Sequence, residues 1–405
     1  MTTSPRDFWS FFSAGRIVFG SGSVKSLGQL LQPWRATRAL IVADAALVKA
    51  GVVGRVEAPL RAAGIEVALF DGGEPEPSFA IAEQAINAAR TAQPDLLLGV
   101  GGGSNMDLAK VVATVLTHGK TCRDYSGFGN VPGPLLPLVC IPTTAGTGSE
   151  VSHAAVLTDT ENQMKISILS HYLRPALALV DPELTLSCPP RATADSGIDA
   201  LTHAIEGMTA TRYNELDIPA GEPFPYDGKQ PIADCVAERA IELIGRHLVT
   251  AVREPGNLAA REGMALAALL AGLAFSNSAV AAVHALEYPL GGALHCSHGA
   301  GNGLLLPYVM RYNLNVRIPE FARIARLLGE ETAGISDEQA AERAISAVER
   351  LRREVGIPER IRDLGGTQDQ LPTFAKKAFA IKRLMLLNAR QPTEADLLEI
   401  LQAAF

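Results

Sequence analysis

Asp199 and His203 stand four residues apart in DSGIDALTHAIEG (residues 195–207). On a helix, positions i and i+4 share a face, so a carboxylate and an imidazole at that spacing can reach one metal ion. The same pair can also be no more than a surface hydrogen bond, and two further histidines strengthen the metal reading. His284 lies inside an apolar, alanine-rich stretch where an unpaired imidazole would be costly. His298 follows Cys296 and Ser297 and precedes Gly299. One carboxylate with three imidazoles suits a borderline divalent ion such as Fe2+ or Zn2+ and is a poor set for Mg2+ or Ca2+. His295 competes with His298, since the two are themselves three residues apart. His118, His153, His171 and His247 have no partner at ligand spacing and read as structural or solvated.

A second chemistry is suggested by two turns. Gly101, Gly102, Gly103, Ser104, Asn105, Met106 and Asp107 follow an apolar run that ends at Val100. Glycines let a backbone approach another molecule closely, and a helix N-terminus offers N–H groups and partial positive charge. Together they make a phosphate cradle. The stretch is not the G-x-G-x-x-G fingerprint, and a plain tight turn would use the same residues. After another strand, PTTAGTGSE (142–150) carries hydroxyls at Thr143, Thr144, Thr147 and Ser149. They could bond phosphate or ribose, or simply cap a helix. In open α/β sheets, ligands gather at the carboxyl ends of strands, where both turns would lie. Asp44, just after ALIVA (39–43), can accept hydrogen bonds from a ribose diol and would repel a 2′-phosphate, which favours NAD over NADP. Its alternative role is a helix N-cap.

These residues need elements to position them. Up to residue 188, short apolar runs alternate with helical periodicity. Strands are expected at 39–43, 65–70, 95–100, 138–141 and 176–180, with 17–19 as a further one, and helices at 47–63, 79–91 and 106–117. Such alternation implies crossover connections, hence a Rossmann-like, mainly parallel sheet covered on both faces. After CPPR (188–191) the strand signals stop, and a 3.6-residue period takes over at 232–247, 258–275, 321–328, 337–355 and 394–404. The reading is therefore an α/β dinucleotide-binding domain over 1–188 and an all-helical metal-binding domain over 189–405, with the active site in the cleft between them. Residues 211–231, with Pro219, Gly221, Pro223, Pro225, Gly228 and Pro231, read as a loop.

Composition bounds the rest. The 405 residues are 47% hydrophobic and 20% charged, enough for a large core and incompatible with disorder. Lys and Arg number 36 against 43 Asp and Glu, and the net charge of −7 has the wrong sign for a general nucleic-acid binder. The five cysteines form no CxxC pair and read as buried thiols of a reducing, cytoplasmic compartment. MTTSPRDFWSFF is not a secretory signal. The apolar stretch 264–286, interrupted by Gly272, Ser276, Asn277, Ser278 and His284, reads as helix buried in protein.

Over almost its whole length the sequence resembles the iron-containing, or group III, alcohol dehydrogenases. The resemblance is carried by GGGSNMDLAK (101–110), IPTTAGTGSEVS (141–152), LVDPELT (179–185), GIDALTHAIEG (197–207) and HALEYPLGGALHCSHGAGNGLLLPYVMRYN (284–313). It implies metal ligands at Asp199, His203, His284 and His298, which decides against His295. It also implies NAD held by Gly102, Gly103, Ser104, Thr143, Thr144, Thr147 and Ser149, with Asp107 in the same glycine motif. Lys165 of MKISI matches a family lysine near the cofactor ribose, and Asp44 is the position that discriminates NAD from NADP. A homodimer acting on a small alcohol, aldehyde or hydroxy acid is implied, without a nucleic-acid or membrane partner.

One departure from that family bears on proton transfer. Many members carry histidine four residues after the third ligand, where this chain has Tyr288. A phenol, with an ordinary pKa of about 10, is a poor proton relay at neutral pH. Tyr288 and the loop 226–234 resemble the hydroxyacid–oxoacid transhydrogenase branch, which keeps its nicotinamide bound. Phe275 and Tyr288 are expected to shape the substrate pocket. The expected reaction is hydride transfer between NAD and a short alcohol or hydroxy acid. Fe2+ would be the Lewis acid, with Zn2+ or another divalent ion as the alternative. A lyase of the dehydroquinate synthase type, with a similar two-domain layout, is disfavoured by the DALTHAIEG and HALEYPLG matches.

Overall fold

Strands covered on both faces read as continuous apolar runs, and this chain carries several. The computed structural model describes residues 7–161, 164–218 and 223–405. They form two compact units, one of Phe12–Cys188 and one of Pro189–Phe405 together with residues 7–11. The first unit contains strands β1 (Ile17–Phe19), β2 (Arg38–Val42), β3 (Glu66–Phe70), β4 (Leu96–Gly101), β5 (Gly127–Phe128), β6 (Leu138–Pro142), β7 (Ala154–Asp159), β8 (Met164–Leu169) and β9 (Leu177–Val180). Its helices include α1 (Leu27–Leu30), α2 (Ala45–Lys49), α3 (Val52–Ala62), α4 (Phe79–Ala92) and α5 (Gly103–His118).

The main sheet has the order β1-β9-β6-β4-β2-β3, and its pairings are parallel. Successive residues of a strand face opposite sides. Leu40 and Val42 of β2 accordingly join one core cluster with Phe79, Ile86 and Met106 of α4 and α5. Ala39 and Ile41 join the other, with Leu27 of α1 and Val52, Val56 and Leu60 of α3. Helices thus cover both faces, as the crossover pattern requires.

The local differences from the sequence reading have physical causes. The helix expected over 47–63 is two helices, because Gly51 takes φ 74 and ends α2 in a left-handed turn. The helix expected from residue 106 begins at Gly103, so the glycine turn supplies its first turn. A second sheet, β5-β8-β7, is built on an antiparallel β7–β8 pair. It is faint in the sequence, since the alternating AAVLTD of β7 is diluted by small and polar residues. Among the cysteines, Cys122, Cys140 and Cys188 are buried. Cys235 is exposed and Cys296 half-buried, which corrects the expectation that all five are buried thiols.

The second unit is helical: α6 (Pro190–Thr209), α7 (Pro231–Arg253), α8 (Leu258–Phe275), α9 (Ala282–Leu294), α10 (His298–Asn313), α11 (Ile318–Leu327), α12 (Asp337–Glu354), α13 (Leu371–Phe379), α14 (Lys382–Leu387) and α15 (Glu394–Ala403). α8 is long and apolar enough to cross a membrane by length and composition. Here 72% of its residues are buried, and it packs on α6 and α7. Between α6 and α7 the described residues form a loop in which the backbones of Arg212 and Lys229 pair in a single parallel bridge. Residues 219–222, including Pro219 and Gly221 of the expected loop, lie outside the described residues. Ser10 N–H donates to the Asp227 carboxylate at 2.9 Å, which ties the N-terminal segment to that loop.

Candidate functional site

α6 carries Asp199, His203 and Glu206 on one face, at helical spacings of four and three residues. Asp199, His284 from the first turn of α9 and His298 from the start of α10 offer ligand atoms that all lie within 4.8 Å of one another. This convergence requires α10 to lie almost against the backbone of α6. A Cβ on Gly299 would stand 1.9 Å from the Asp195 carbonyl oxygen and 3.2 Å from Asp199 Cβ.

His203, the fourth residue of the set, lies alongside this group. Its ring stacks on His284 with centroids 4.8 Å apart and on Phe275 at 4.2 Å, and its Nδ1 is 3.8 Å from Asp199 Oδ2. His295 is not part of the site. It is exposed, caps α9 with φ 51, and lies in the break before α10, so it shares no helix with His298. The Tyr288 ring sits 6.1 Å from that of His298.

Burial by itself would raise the pKa of Asp199. His203, His298 and His284, helped by a hydrogen bond from Asn302, outweigh it and hold the carboxyl below its usual range. His284 Nδ1 meets Glu206 Oε2 at 2.6 Å, and His298 Nδ1 meets Glu287 Oε2 at 2.5 Å. In a neutral imidazole, an Nδ1 that donates to a carboxylate leaves the opposite Nε2 with its lone pair, which is the state a metal requires. Asn302 Nδ2 donates to Asp199 Oδ1 at 2.8 Å. Its own Oδ1 is buried with no hydrogen-bond partner among the described residues. A carboxylate oxygen and imidazole nitrogens, oriented in this way and buried except at His298, fit Fe2+ or Zn2+.

Sequence reasoning missed Glu206, Glu287 and Asn302. Their only signal was helical spacing from a candidate ligand: three residues after His203, three after His284 and four after His298.

The two turns singled out in the sequence, at residues 101–107 and 142–150, occupy the other unit. β4 and β6 pair with Gly101 opposite Pro142, which sets the turns at their carboxyl ends side by side. Thr143 N–H donates to Gly101 O at 2.9 Å, and a Cβ on Gly103 would lie 2.8 Å from Thr147 Cγ2. Gly102 is the N-cap of α5, whose first-turn N–H groups have no intrahelical acceptor. Gly102, Gly103, Ser104, Thr144 and Thr147 are half-buried, so they keep an accessible side, whereas Thr143 and Ser149 are buried.

Ser149 and Asp107 point inward. The Ser149 hydroxyl donates to Asp107 Oδ1 at 2.6 Å and accepts from Lys110 at 2.8 Å, while Asp107 Oδ2 accepts from Val156 N–H at 3.0 Å. These two side chains brace the turns from beneath. Asp44 does cap α2, accepting from Leu47 N–H at 3.0 Å. Its other oxygen accepts from Asn105 Nδ2 at 2.8 Å. Lys165 is ion-paired with Glu76 at 2.9 Å, and Glu76 N–H donates to Ser104 Oγ at 3.2 Å. Asn105 and Glu76 are therefore neighbours of this site that spacing alone did not reveal.

Comparison with known proteins covers both units. The family model for iron-containing alcohol dehydrogenase matches residues 14–182, and the model for the C-terminal region of the Fe-containing alcohol dehydrogenase family matches 220–405. The 1,3-propanediol dehydrogenase of Klebsiella pneumoniae is 39% identical over 389 residues, 96% of this chain and 96% of that protein. The NAD-dependent methanol dehydrogenase of Bacillus methanolicus is 36% identical over 395 residues, covering 98% and 99% of the two chains. A crystal structure of a 1,3-propanediol oxidoreductase superposes with a TM-score of 0.92 at 38% identity, over 98% of this chain and all of that one. The chain belongs to the iron-containing alcohol dehydrogenase family, and it is an oxidoreductase of that family.

Proposed function

We propose that the protein is an NAD-linked, divalent-metal-dependent alcohol dehydrogenase and aldehyde reductase acting on a short alcohol or hydroxy acid. The observation that carries this reading is the convergence of Asp199, His284 and His298 within 4.8 Å, with the His203 ring stacked on that of His284. The relatives support it, one of them NAD-dependent by name. A bound divalent ion would supply Lewis-acid stabilisation of negative charge on a substrate oxygen, and a bound nicotinamide would supply the hydride acceptor.

The chain's own residues do the rest. Asp199 and the three imidazoles hold and orient the ion, while Glu206 and Glu287 keep two of those imidazoles in the ligating tautomer. Gly102, Gly103, Ser104, Thr144 and Thr147 hold the dinucleotide phosphates. Thr143, Ser149 and Asp107 fix the turns, Asp44 takes the ribose, and Lys165 lies near it. Phe275 and Tyr288 shape the substrate pocket, and the Tyr288 hydroxyl carries a proton there. The same reading makes residues 1–188 the dinucleotide-binding domain and 189–405 the metal-binding domain. It describes a cytoplasmic homodimer whose partners are small molecules.

The test is elemental analysis and NAD-linked turnover of His284→Ala, using alcohols and hydroxy acids of short chain length. Both should be lost; a variant that keeps metal and turnover ends the proposal. The resemblance of Tyr288 and the loop 226–234 to the hydroxyacid–oxoacid transhydrogenase branch supports a second reading, transhydrogenation with retained nicotinamide. Purified protein that carries stoichiometric nicotinamide, and oxidises a hydroxy acid only when a 2-oxo acid is added, would select it.

A further inference from the structure

The three helices that supply the tight ligand group also support one another's ligands, in a closed circuit. α6 contributes Asp199 as a ligand, and its Glu206 receives His284 Nδ1 of α9 at 2.6 Å. α9 contributes His284, and its Glu287 receives His298 Nδ1 of α10. α10 contributes His298, and its Asn302 donates back to Asp199 of α6 at 2.8 Å. The Asn302 amide also lies 3.2 Å from His284 Nε2 and 3.1 Å from His298 Nε2. Glu287 and Asn302 are fully buried, and Glu206 is 4% exposed. Glu206 does more than orient one ring. It accepts from Ala281 N–H at 2.9 Å and Val283 N–H at 2.7 Å, so it caps the start of α9, which has no side-chain cap of its own.

We infer that Glu206, Glu287 and Asn302 are positioning residues, and that the ring they close holds the ion cage in place as one unit. The inference rests on the proposed metal site. In a ring, each link restrains a helix that carries the next, so opening any link loosens all three ligands. Two openings should then cost less than the product of the separate ones.

The experiment measures ion affinity by chelator competition, with Zn2+ as probe, for Glu206→Gln, Glu287→Gln, Asn302→Ala and the double variant of the two glutamates. Each single change should weaken binding about 10- to 100-fold, and the double variant should fall short of the product. In the Zn2+-loaded full chain, 15N-imidazole NMR should show His284 and His298 protonated at Nδ1. The His284 signal should shift in Glu206→Gln and the His298 signal in Glu287→Gln. Affinities equal to the unmodified protein, or strictly multiplicative losses, overturn the ring. Imidazoles protonated at Nε2 overturn it too, and that reading needs no variant to fold. His284→Ala separates the two levels: if it binds Zn2+ normally, the metal site itself is wrong. If it does not, and the ring variants do, only the ring fails.

Discussion

Glu150 is 2% exposed, and burial pushes its carboxyl up to about 7 despite the opposing pull of Lys110. The ordinary glutamate value, taken for the unfolded chain, is 4.5. The folded state therefore binds more protons between those values, so its contribution is fully present below pH 4.5 and is lost as pH rises to about 7. Glu150→Gln should make thermal melts at pH 8 more stable by up to about 3 kcal/mol and change little at pH 4.5. A difference independent of pH would show that another group is responsible. Lys110 is a buried cation with a full set of acceptors: Ser149 Oγ at 2.8 Å, Ser152 Oγ at 3.1 Å and Ala154 O at 2.7 Å, with Asp107 at 3.5 Å. Burial raises the Asp107 carboxyl, so Lys110→Met should strand that group and cost about 3–5 kcal/mol in denaturant unfolding. Asp44→Ala tests the ribose role. Titration with both dinucleotides should show NADP gaining on NAD by about tenfold, or roughly 1.4 kcal/mol, alongside a small loss from the missing helix cap. Unchanged discrimination would leave Asp44 as a cap alone.

At the scale of elements, glycine in α10 decides whether the proposed ligands meet. The added methyl of Gly299→Ala would sit 1.9 Å from a main-chain oxygen of α6, and neither backbone can yield cheaply. The variant should lose at least about 1–3 kcal/mol through overpacking, and its metal content should fall because His298 and Asn302 are carried away from Asp199. Calorimetry and metal analysis check both; normal values for both would mean that α10 is free to shift. The α9 start makes a related point. Its own sequence offers no capping side chain, and the cap comes from Glu206, 75 residues earlier. No local pattern in residues 279–285 could announce a helix that begins there.

For the molecule as a whole, an ion that binds only the folded protein must stabilise it. At a free concentration of 100 times its dissociation constant it adds about 2.7 kcal/mol. Removing it with a chelator should lower the melting temperature by a few degrees, and adding Fe2+ or Zn2+ back should restore it. A melting curve indifferent to chelation would be incompatible with the cage drawn here.

Much of this protein was legible in one dimension. Periods of two and 3.6 residues, and the switch between them near residue 190, determined an α/β unit followed by a helical one. The segments that carry the proposed ligands stood out because carboxylate and imidazole at helical spacing in apolar surroundings are costly unless used. Tertiary structure alone decided which polar residues stand behind them. Glu206 meets His284 across 78 positions and Asn302 meets Asp199 across 103. Asn105 reaches Asp44 across 61. Periodicity reports only how a residue faces its own element, whereas a hydrogen bond between elements exists once packing has set their distance and angle.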